Sequence, residues 1–408
     1  MSEQQTYDVI VAGGGPAGST AATLLAQYGY QVLLLEQGQH PRFHIGESML
    51  PRSAPVMERL GIEWGDGNLV KGGAEFIDEK SGKRTFFPFQ GKYRTYQVER
   101  SVFDERLFNN AIKHGVLAHQ QEKVTAVNCS TEQVTVTTDQ GSYQSRYFID
   151  ATGRSALLGK KHKSINKLEN LGKFALYKHY HLAPSPAAEQ LFATGNIEIL
   201  LTDIGWIWCI PLTNNRLSVG LVVQKQYPDE LKRNALYDHY INASPRMTAL
   251  LTGADLWADL RIEADFSYFN ERRYGQRFAC CGDAAGFLDP VFSSGFFFAA
   301  KTAEFVADQV HQGFVEGREA DPELHASGDQ IYQTGFQTMY LMIERFYCSN
   351  IVHNLFFESD RQEQIKSEIT AILAGDLWME HNSFQKGLLQ GRNREINNRK
   401  PDTDPTIA

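Results

Sequence analysis

Gly13, Gly15 and Gly18 are the first residues whose types and spacing could do chemistry together. They lie in the stretch YDVIVAGGGPAGSTAATLLAQYGYQVLLLEQG. The three fit G-x-G-x-x-G directly after an apolar, β-branched run and at the start of a small-residue helix. There the first glycine permits a tight turn and the second lets backbone amides approach a pyrophosphate. The third allows close helix–strand packing, with the phosphate at the positive helix N-terminus. Glu36 ends the next apolar run, where a carboxylate can accept hydrogen bonds from a ribose diol and repel a 2′-phosphate. That disfavours NADP and leaves NAD and FAD.

More distant pieces separate those two. VERSVFDERL puts Arg100 ahead of an amphipathic helix, where a guanidinium can reach the nucleotide half of a cofactor. YFIDATG ends a strand at Asp150. CCGDAAGFLDPVFSSG places Asp283 before a small-residue turn, suited to a ribityl or pyrophosphate contact. Its later part, Asp289-Pro290 to Ser293-Ser294-Gly295, opens a helix whose free amides can meet a flavin ring. Each piece alone is ordinary turn chemistry; in this order and spacing they favour FAD. A further stretch, GWIWCIPL, sets Trp206 and Trp208 on the same face of a strand, because strand side chains alternate. Two indoles side by side make a large, water-poor surface. The residues alone leave open whether it is core packing or a partition.

The elements that must position these groups are legible in outline. The glycine stretch is one βαβ unit. Short alternating segments over 118–150 predict a hairpin returning into a buried strand. KFALYKHYHL, GNIEILLTD, GWIWCIPL and RLSVGLVV, between about 170 and 270, predict an antiparallel sheet. Helices follow, with Tyr332, Phe336, Tyr340, Ile343 and Tyr347 spaced three and four apart as one aromatic stripe. The stripe reads first as helix packing and second as the lining of an acceptor pocket. The expected fold class is α/β, with an FAD-binding Rossmann-like lobe of residues 1–165 and 270–320. The antiparallel sheet is inserted on the substrate side at 166–269, helices cover 321–390, and 391–408 is a disordered tail.

The bulk composition narrows the function classes. The chain has 408 residues, 42% hydrophobic and 22% charged, enough for more than one core. A net charge of −8 argues against a nucleic-acid binder. Local basic runs such as KKHK at 160–163 read as solvated surface. Five cysteines without paired spacing, including adjacent Cys280 and Cys281, read as small hydrophobes in a reducing compartment. With no signal peptide and no membrane span in the sequence, the expected location is cytoplasmic.

From residue 6 to about 310 the chain resembles the single-component FAD monooxygenase fold of the p-hydroxybenzoate hydroxylase type. Within that fold it resembles the flavin-dependent halogenases. GWIWCIP matches their W-x-W-x-I-P motif at Trp206, Trp208, Ile210 and Pro211. HPRFHIGESMLPRS resembles their segment beside the flavin, and LVKGGAEF places Lys71 where halogenases of phenols and pyrroles carry their catalytic lysine. DPVFSSG resembles the turn that holds flavin and halide. The resemblance implies cofactor-binding roles for Gly13, Gly15, Pro16, Ala17, Gly18, Glu36, Arg42, Gly46, Glu47, Ser48, Arg100, Asp283, Pro290 and Gly295. It implies halide binding, chloride or bromide, at the backbone of Ser294 and Gly295. It also implies that reduced flavin reacts with oxygen to a hydroperoxide that halide converts to hypohalous acid. Lys71 then holds that oxidant by a hydrogen bond or as a haloamine and delivers it to an electron-rich ring, in natural-product biosynthesis. In this reading the tryptophans keep substrate from the flavin while the small oxidant passes. Lys80, Lys83 and Lys92 carry no such motif and read as surface charges.

One departure is that many relatives continue with Val-His-Leu-Ala, where this chain has Phe296, Phe297 and Phe298. The three point in different directions from a helix, so at least one is expected to meet the active site or the substrate channel, where it would narrow the ring that fits or alter the halide site. Rival readings are an aromatic hydroxylase, a geranylgeranyl-reductase-like flavoprotein, for which Lys71 would have no role, and a flavin-binding scaffold without turnover. The short C-terminal region resembles halogenases acting on a pyrrolyl or tyrosyl group tethered to an acyl or peptidyl carrier protein; free phenols stay open. With no second nicotinamide motif, reduced FAD is expected from a separate flavin reductase.

Overall fold

The computed structural model describes residues 6–64, 67–89, 91–224, 233–264, 267–348, 356–357, 363–379 and 381–399. The strand Thr6–Ala12 is buried on both faces over Val9–Ala12, where its run is apolar, and it pairs in parallel with Val32–Glu36 and Ser142–Asp150. The sheet extends in parallel to Leu117–Gln120 on one side and to Phe278–Cys280 on the other. Val124–Cys129 and Val134–Thr138 form the expected hairpin, antiparallel to Ser142–Asp150. The helices Pro16–Gln27, Arg100–Lys113 and Gly295–Glu316 share one core with this sheet, built from Val9, Val11, Leu24, Phe103, Leu107 and Val310. Ala12, Glu36, Asp150 and Cys280 close their strands at the same edge, the place where parallel sheets bind ligands.

A second sheet has seven strands, in the order Asp255–Ala264, Lys173–His181, Arg216–Gln224, Gly205–Leu212, Ile197–Leu201, Gly73–Asp78 and Lys83–Pro88. All its pairs are antiparallel except Ile197–Leu201 with Gly73–Asp78, which is parallel. Residues 73–88 therefore belong to this sheet and not to the cofactor lobe, where the sequence reading put them. Ala74 and Phe76 fill the same core as Ile197, Ile199 and Trp208, which fixes that pairing. Among the described residues the inserted region also carries three α-helices, Pro186–Thr194, Arg233–Ala243 and Pro245–Leu251. These helices cover the outer face, where Ile207, Cys209 and Leu217 meet Leu191, Leu236, Tyr237 and Leu250. Trp206, Trp208 and Ile210 alternate to the opposite, inner face.

The C-terminal helices are Ala326–Cys348, Glu363–Leu373 and Ser383–Arg399. The last corrects the expected disordered tail: backbone helix continues through 399, since RNREINNR has no Gly or Pro to stop it. Residues 400–408 lie outside the described residues. In the aromatic stripe Tyr332, Phe336 and Ile343 are core residues, with Tyr332 and Phe336 packed on Phe269 and Phe298. Among the described residues no helix is long and apolar enough to cross a membrane, and no cluster of His, Cys, Asp and Glu could hold a metal.

Gly220 sits opposite Trp208 in the ladder, and a Cβ there would lie 2.2 Å from the indole. Gly220→Ala should lose about 1–3 kcal/mol in urea unfolding through this overlap. Gly387→Ala, with nothing within 4 Å of its Cβ position, should hold or gain stability. Equal behaviour of the two variants would refute the seat assigned to Trp208.

Candidate active site

The two sheets meet around a cavity of about 920 Å³ at the carboxyl edge of the parallel strands. Gly13, Gly15, Pro16, Ala17 and Glu36 line one end, and Tyr177, Ile197, Trp206, Trp208 and Ile210 line the other. At Gly13 φ is +104°, and a Cβ would lie 2.2 Å from the Ala151 carbonyl oxygen. A Cβ on Gly18 would lie 1.7 Å from the Gly13 oxygen, so helix and turn touch through hydrogen alone. Gly15 by contrast has only Arg42 Nη2, at 3.6 Å, near its Cβ position, and it faces the open cavity. No acidic side chain stands in the first turn of Pro16–Gln27. The cradle therefore presents backbone amides and a positive helix end to an anion.

Glu36 is held in place by the turn itself. Its Oε2 accepts from the Gly14 amide at 2.6 Å and its Oε1 from the Gly38 amide at 2.8 Å. Arg42 lies 3.6 Å from the same carboxylate. The buried guanidinium of Arg100 pairs with both oxygens of Asp104 at 2.7 and 2.8 Å. Its Nη1 donates to the carbonyls of Ile45 and Gly46 at 3.0 Å. Arg100 thus braces the Gly46-Glu47-Ser48 loop as well as lining the cavity. Glu47 Oε1 meets the buried ring of His179 at 2.7 Å, a pairing sequence reading missed because the partners are 132 residues apart. Asp283 lines the cavity part-buried, and the loss of solvation there pushes its carboxyl up to about 6, against the opposing charges of Arg100 and Arg154.

The turn before Gly295–Glu316 is fixed by Asp289, whose Oδ1 accepts from the Val291 amide at 3.0 Å. Ser293 has φ +56°, and Ser294 is the N-cap. Pro290, Ser293, Gly295 and Phe296 line the cavity, whereas Ser294 is not among its lining residues. Of the three phenylalanines only Phe296 reaches it. Phe297 packs on Trp378, and Phe298 on Tyr332 and Phe336. Asp289 also organises the tryptophans. Trp206 Nε1 donates to the Tyr347 hydroxyl at 2.6 Å, and that hydroxyl donates to Asp289 Oδ2 at 2.9 Å. Tyr347, the last residue of the aromatic stripe, thereby ties the tryptophan strand to the turn, and its spacing alone gave no sign of this. Trp208 Nε1 donates to Ser218 Oγ at 3.1 Å, and the two indole centroids are 5.9 Å apart.

Lys71 ends the short strand Leu69–Lys71 and is not among the residues lining the cavity. It is 3% exposed, donates from Nζ to the Met49 carbonyl at 3.0 Å, and lies 4.9 Å from the Phe89 ring. Burial pushes its ammonium down to about 7, so neutral amine is abundant at neutral pH. Pro211 is buried in the tryptophan strand, opposite Leu217.

The tryptophan halogenase family model matches residues 8–95 and 73–388. The chain belongs to this family of flavin-dependent halogenases. A 1H-pyrrole-2-carbonyl-[peptidyl-carrier protein] brominase of Pseudoalteromonas luteoviolacea is 31% identical over 397 residues, 92% of this chain and 93% of the relative. The flavin-dependent brominase Bmp2 superposes with a TM-score of 0.83 at 27% identity, covering 96% of this chain and all of that one. A flavoprotein/dehydrogenase from Cytophaga hutchinsonii has a TM-score of 0.85 at 26% identity, covering 97% and 99%. This halogenase uses FAD and halide, and the glycine cradle, Glu36 and the cavity-lining Asp283 fit such a dinucleotide.

A carboxyl whose folded pKa is raised stabilises the fold below its unfolded value, and that stability is lost as pH rises through the folded value. For Asp283 in the FAD-free halogenase the window runs from about 4 to about 6. Asp283→Asn should therefore be nearly neutral in urea unfolding at pH 4 and stabilising by about 2 kcal/mol at pH 7.5. Equal effects at the two pH values would refute the raised pKa of this carboxyl.

Proposed function

We propose that this halogenase uses Lys71 to deliver hypohalous acid to an electron-rich aromatic ring, with Trp206 and Trp208 as the partition between cofactor and substrate. The observation that carries this reading is the contrast between the two groups. The indoles line the cofactor cavity, while Lys71 lies outside its lining, buried and near neutrality. Reduced FAD, with oxygen and halide, supplies the hypohalous acid.

The chain's own residues do the rest. Gly13, Gly15, Pro16, Ala17 and Gly18 hold the pyrophosphate and Glu36 the ribose, with Arg42 beside it. Asp283 would contact the ribityl chain or the pyrophosphate, and the Gly46-Glu47-Ser48 loop, braced by Arg100, would lie beside the flavin. Backbone amides at Ser294 and Gly295, at the start of a helix and next to Pro290, offer donors to a halide. Trp206, Trp208 and Ile210 exclude water and keep an arene away from the cofactor, and Pro211 stiffens the end of their strand. The neutral Lys71 amine attacks the halogen of hypohalous acid, forming an N–X bond and releasing water. The halogen then passes to a ring carbon, and the proton lost from that carbon returns to the amine. A hydrogen bond from Lys71 to the oxidant is the weaker form of the same assistance.

The substrate we infer is a pyrrole or phenol ring, including one carried on an acyl or peptidyl carrier protein. The support is the pyrrolyl carrier-protein brominase that matches nearly end to end. A separate flavin reductase completes the system, since the sequence carries no second nicotinamide motif. Cytoplasmic location fits a reaction fed by such a reductase.

Turnover with reduced FAD, oxygen and chloride or bromide tests the proposal, using tethered and free arenes beside monochlorodimedone. Lys71→Ala should lower ring halogenation at least a hundredfold while flavin oxidation and FAD binding persist. In the wild type, lysine-dependent halogenation should rise as pH passes through about 7 and neutral amine accumulates. Halogenation retained by Lys71→Ala would remove the lysine from its role.

A further inference from the structure

We infer that Tyr347 is a positioning residue for halogenation, whose hydroxyl fixes the Trp206 indole and the turn proposed to hold halide against each other; this rests on the roles proposed for Trp206, Ser294 and Gly295. An indole N–H can only donate, so the Tyr347 oxygen must accept from Trp206, at 2.6 Å. The phenol's own proton is thereby directed to Asp289 Oδ2, at 2.9 Å. Asp289 uses its other oxygen on the Val291 amide at 3.0 Å, as the N-cap of the short helix Pro290–Phe292. The chain then passes through Ser293, at φ +56°, to Ser294, the N-cap of Gly295–Glu316. One hydroxyl therefore orients both the indole and the first residue of the turn.

Tyr347 stands where separate elements meet. It lies near the end of Ala326–Cys348, Trp206 belongs to Gly205–Leu212, and Asp289 opens the turn. Lys173, at the start of Lys173–His181, adds a further contact, with its Nζ 4.1 Å from the centre of the Tyr347 ring. Asp289, Trp206 and Lys173 are 0%, 1% and 3% exposed, so water does not substitute for these partners. Burial and the Asp289 carboxylate push the Tyr347 phenol well above its ordinary value, and it keeps its proton at neutral pH. The neighbouring ring of Phe346 packs 5.6 Å from that of Phe292 in the turn. The same helix end thus meets the turn by a ring contact and by a hydrogen bond. The rings supply packing, and the hydroxyl supplies direction.

Packing alone does not need this residue, since a phenylalanine would fill nearly the same space. The hydroxyl instead satisfies one buried donor and one buried acceptor together, and fully satisfied networks specify a single arrangement of their members. Without it the Trp206 N–H and Asp289 Oδ2 both lose this partner. The indole then gains freedom to tilt in the cavity wall, and the carboxylate to turn away from Val291. Backbone amides hold an anion only while they converge on one point, and Pro290, Ser293 and Gly295 line the cavity from this turn. Neither Tyr347 nor Asp289 lines that cavity, so each acts through the groups it holds.

Tyr347→Phe removes the hydroxyl and keeps the ring, with thermal unfolding confirming the fold. It is compared with wild type using reduced FAD, oxygen, varied bromide, an arene that wild type brominates, and monochlorodimedone as a trap in solution. The half-saturating bromide concentration should rise at least fivefold, while total bromination at saturating bromide stays within twofold of wild type. A purely structural role would lower the rate at every bromide concentration instead. The ratio of brominated arene to brominated trap should also fall at least threefold. Indole NMR of the FAD-free protein, labelled with ¹⁵N-tryptophan, supplies a readout independent of turnover. Trp206→Phe identifies the Trp206 N–H, whose hydrogen exchange should quicken at least tenfold in Tyr347→Phe. The N–H of Trp208, which donates to Ser218, should exchange as in wild type. Wild-type bromide saturation, a wild-type product ratio or wild-type Trp206 exchange in the folded Tyr347→Phe variant overturns the positioning role. If Trp206→Phe itself keeps the wild-type product ratio, the partition fails. If Trp206→Phe loses the ratio while Tyr347→Phe keeps it, the role of Tyr347 alone fails.

Discussion

Desolvation of one amine sets the terms for the whole site. Lys71 is 3% exposed, has Met49 O as its one hydrogen-bond partner among the described residues, and lies beside the Phe89 ring. Moving its ammonium from an ordinary value of 10.5 down to about 7 corresponds to about 5 kcal/mol of disfavoured charge. That cost is the basis of its proposed use, since a fully protonated lysine has no lone pair for an electrophilic halogen. Such a group is kept dry only if everything around it is held still.

Two sheets of different character enclose the neighbouring cavity. The parallel sheet gathers the dinucleotide cradle at its carboxyl edge, and the second sheet turns Trp206, Trp208 and Ile210 toward the same cavity. The chain Trp206–Tyr347–Asp289 then fastens the indole wall to the turn that opens the helix Gly295–Glu316. Wall and turn are thereby positioned by shared hydrogen bonds across the molecule. Gly220 complements this from behind, giving the Trp208 ring a place against bare backbone.

Local patterns made part of this legible in advance. The glycine turn, the strand before it, the acid at Glu36 and the hairpin over 124–138 all follow from rules that act within a few residues. The tryptophan pair announced itself by alternation, though its reading as core or partition depended on family resemblance. Long-range partners were not legible. His179 with Glu47 and Tyr347 with Trp206 join segments more than a hundred residues apart, and no periodicity encodes such pairs. The placement of 73–88 in the second sheet was missed for the same reason, since one parallel pairing with Ile197–Leu201 decides it. The tail was misjudged because polar composition says nothing against helix where Gly and Pro are missing.

Direct titration of Lys71 measures its desolvation. Lysine side chains labelled with ¹⁵N report each amine's protonation by NMR, and Lys71→Ala identifies the resonance. A midpoint near pH 7 is expected for that resonance. A midpoint at the ordinary lysine value of about 10.5 would contradict it.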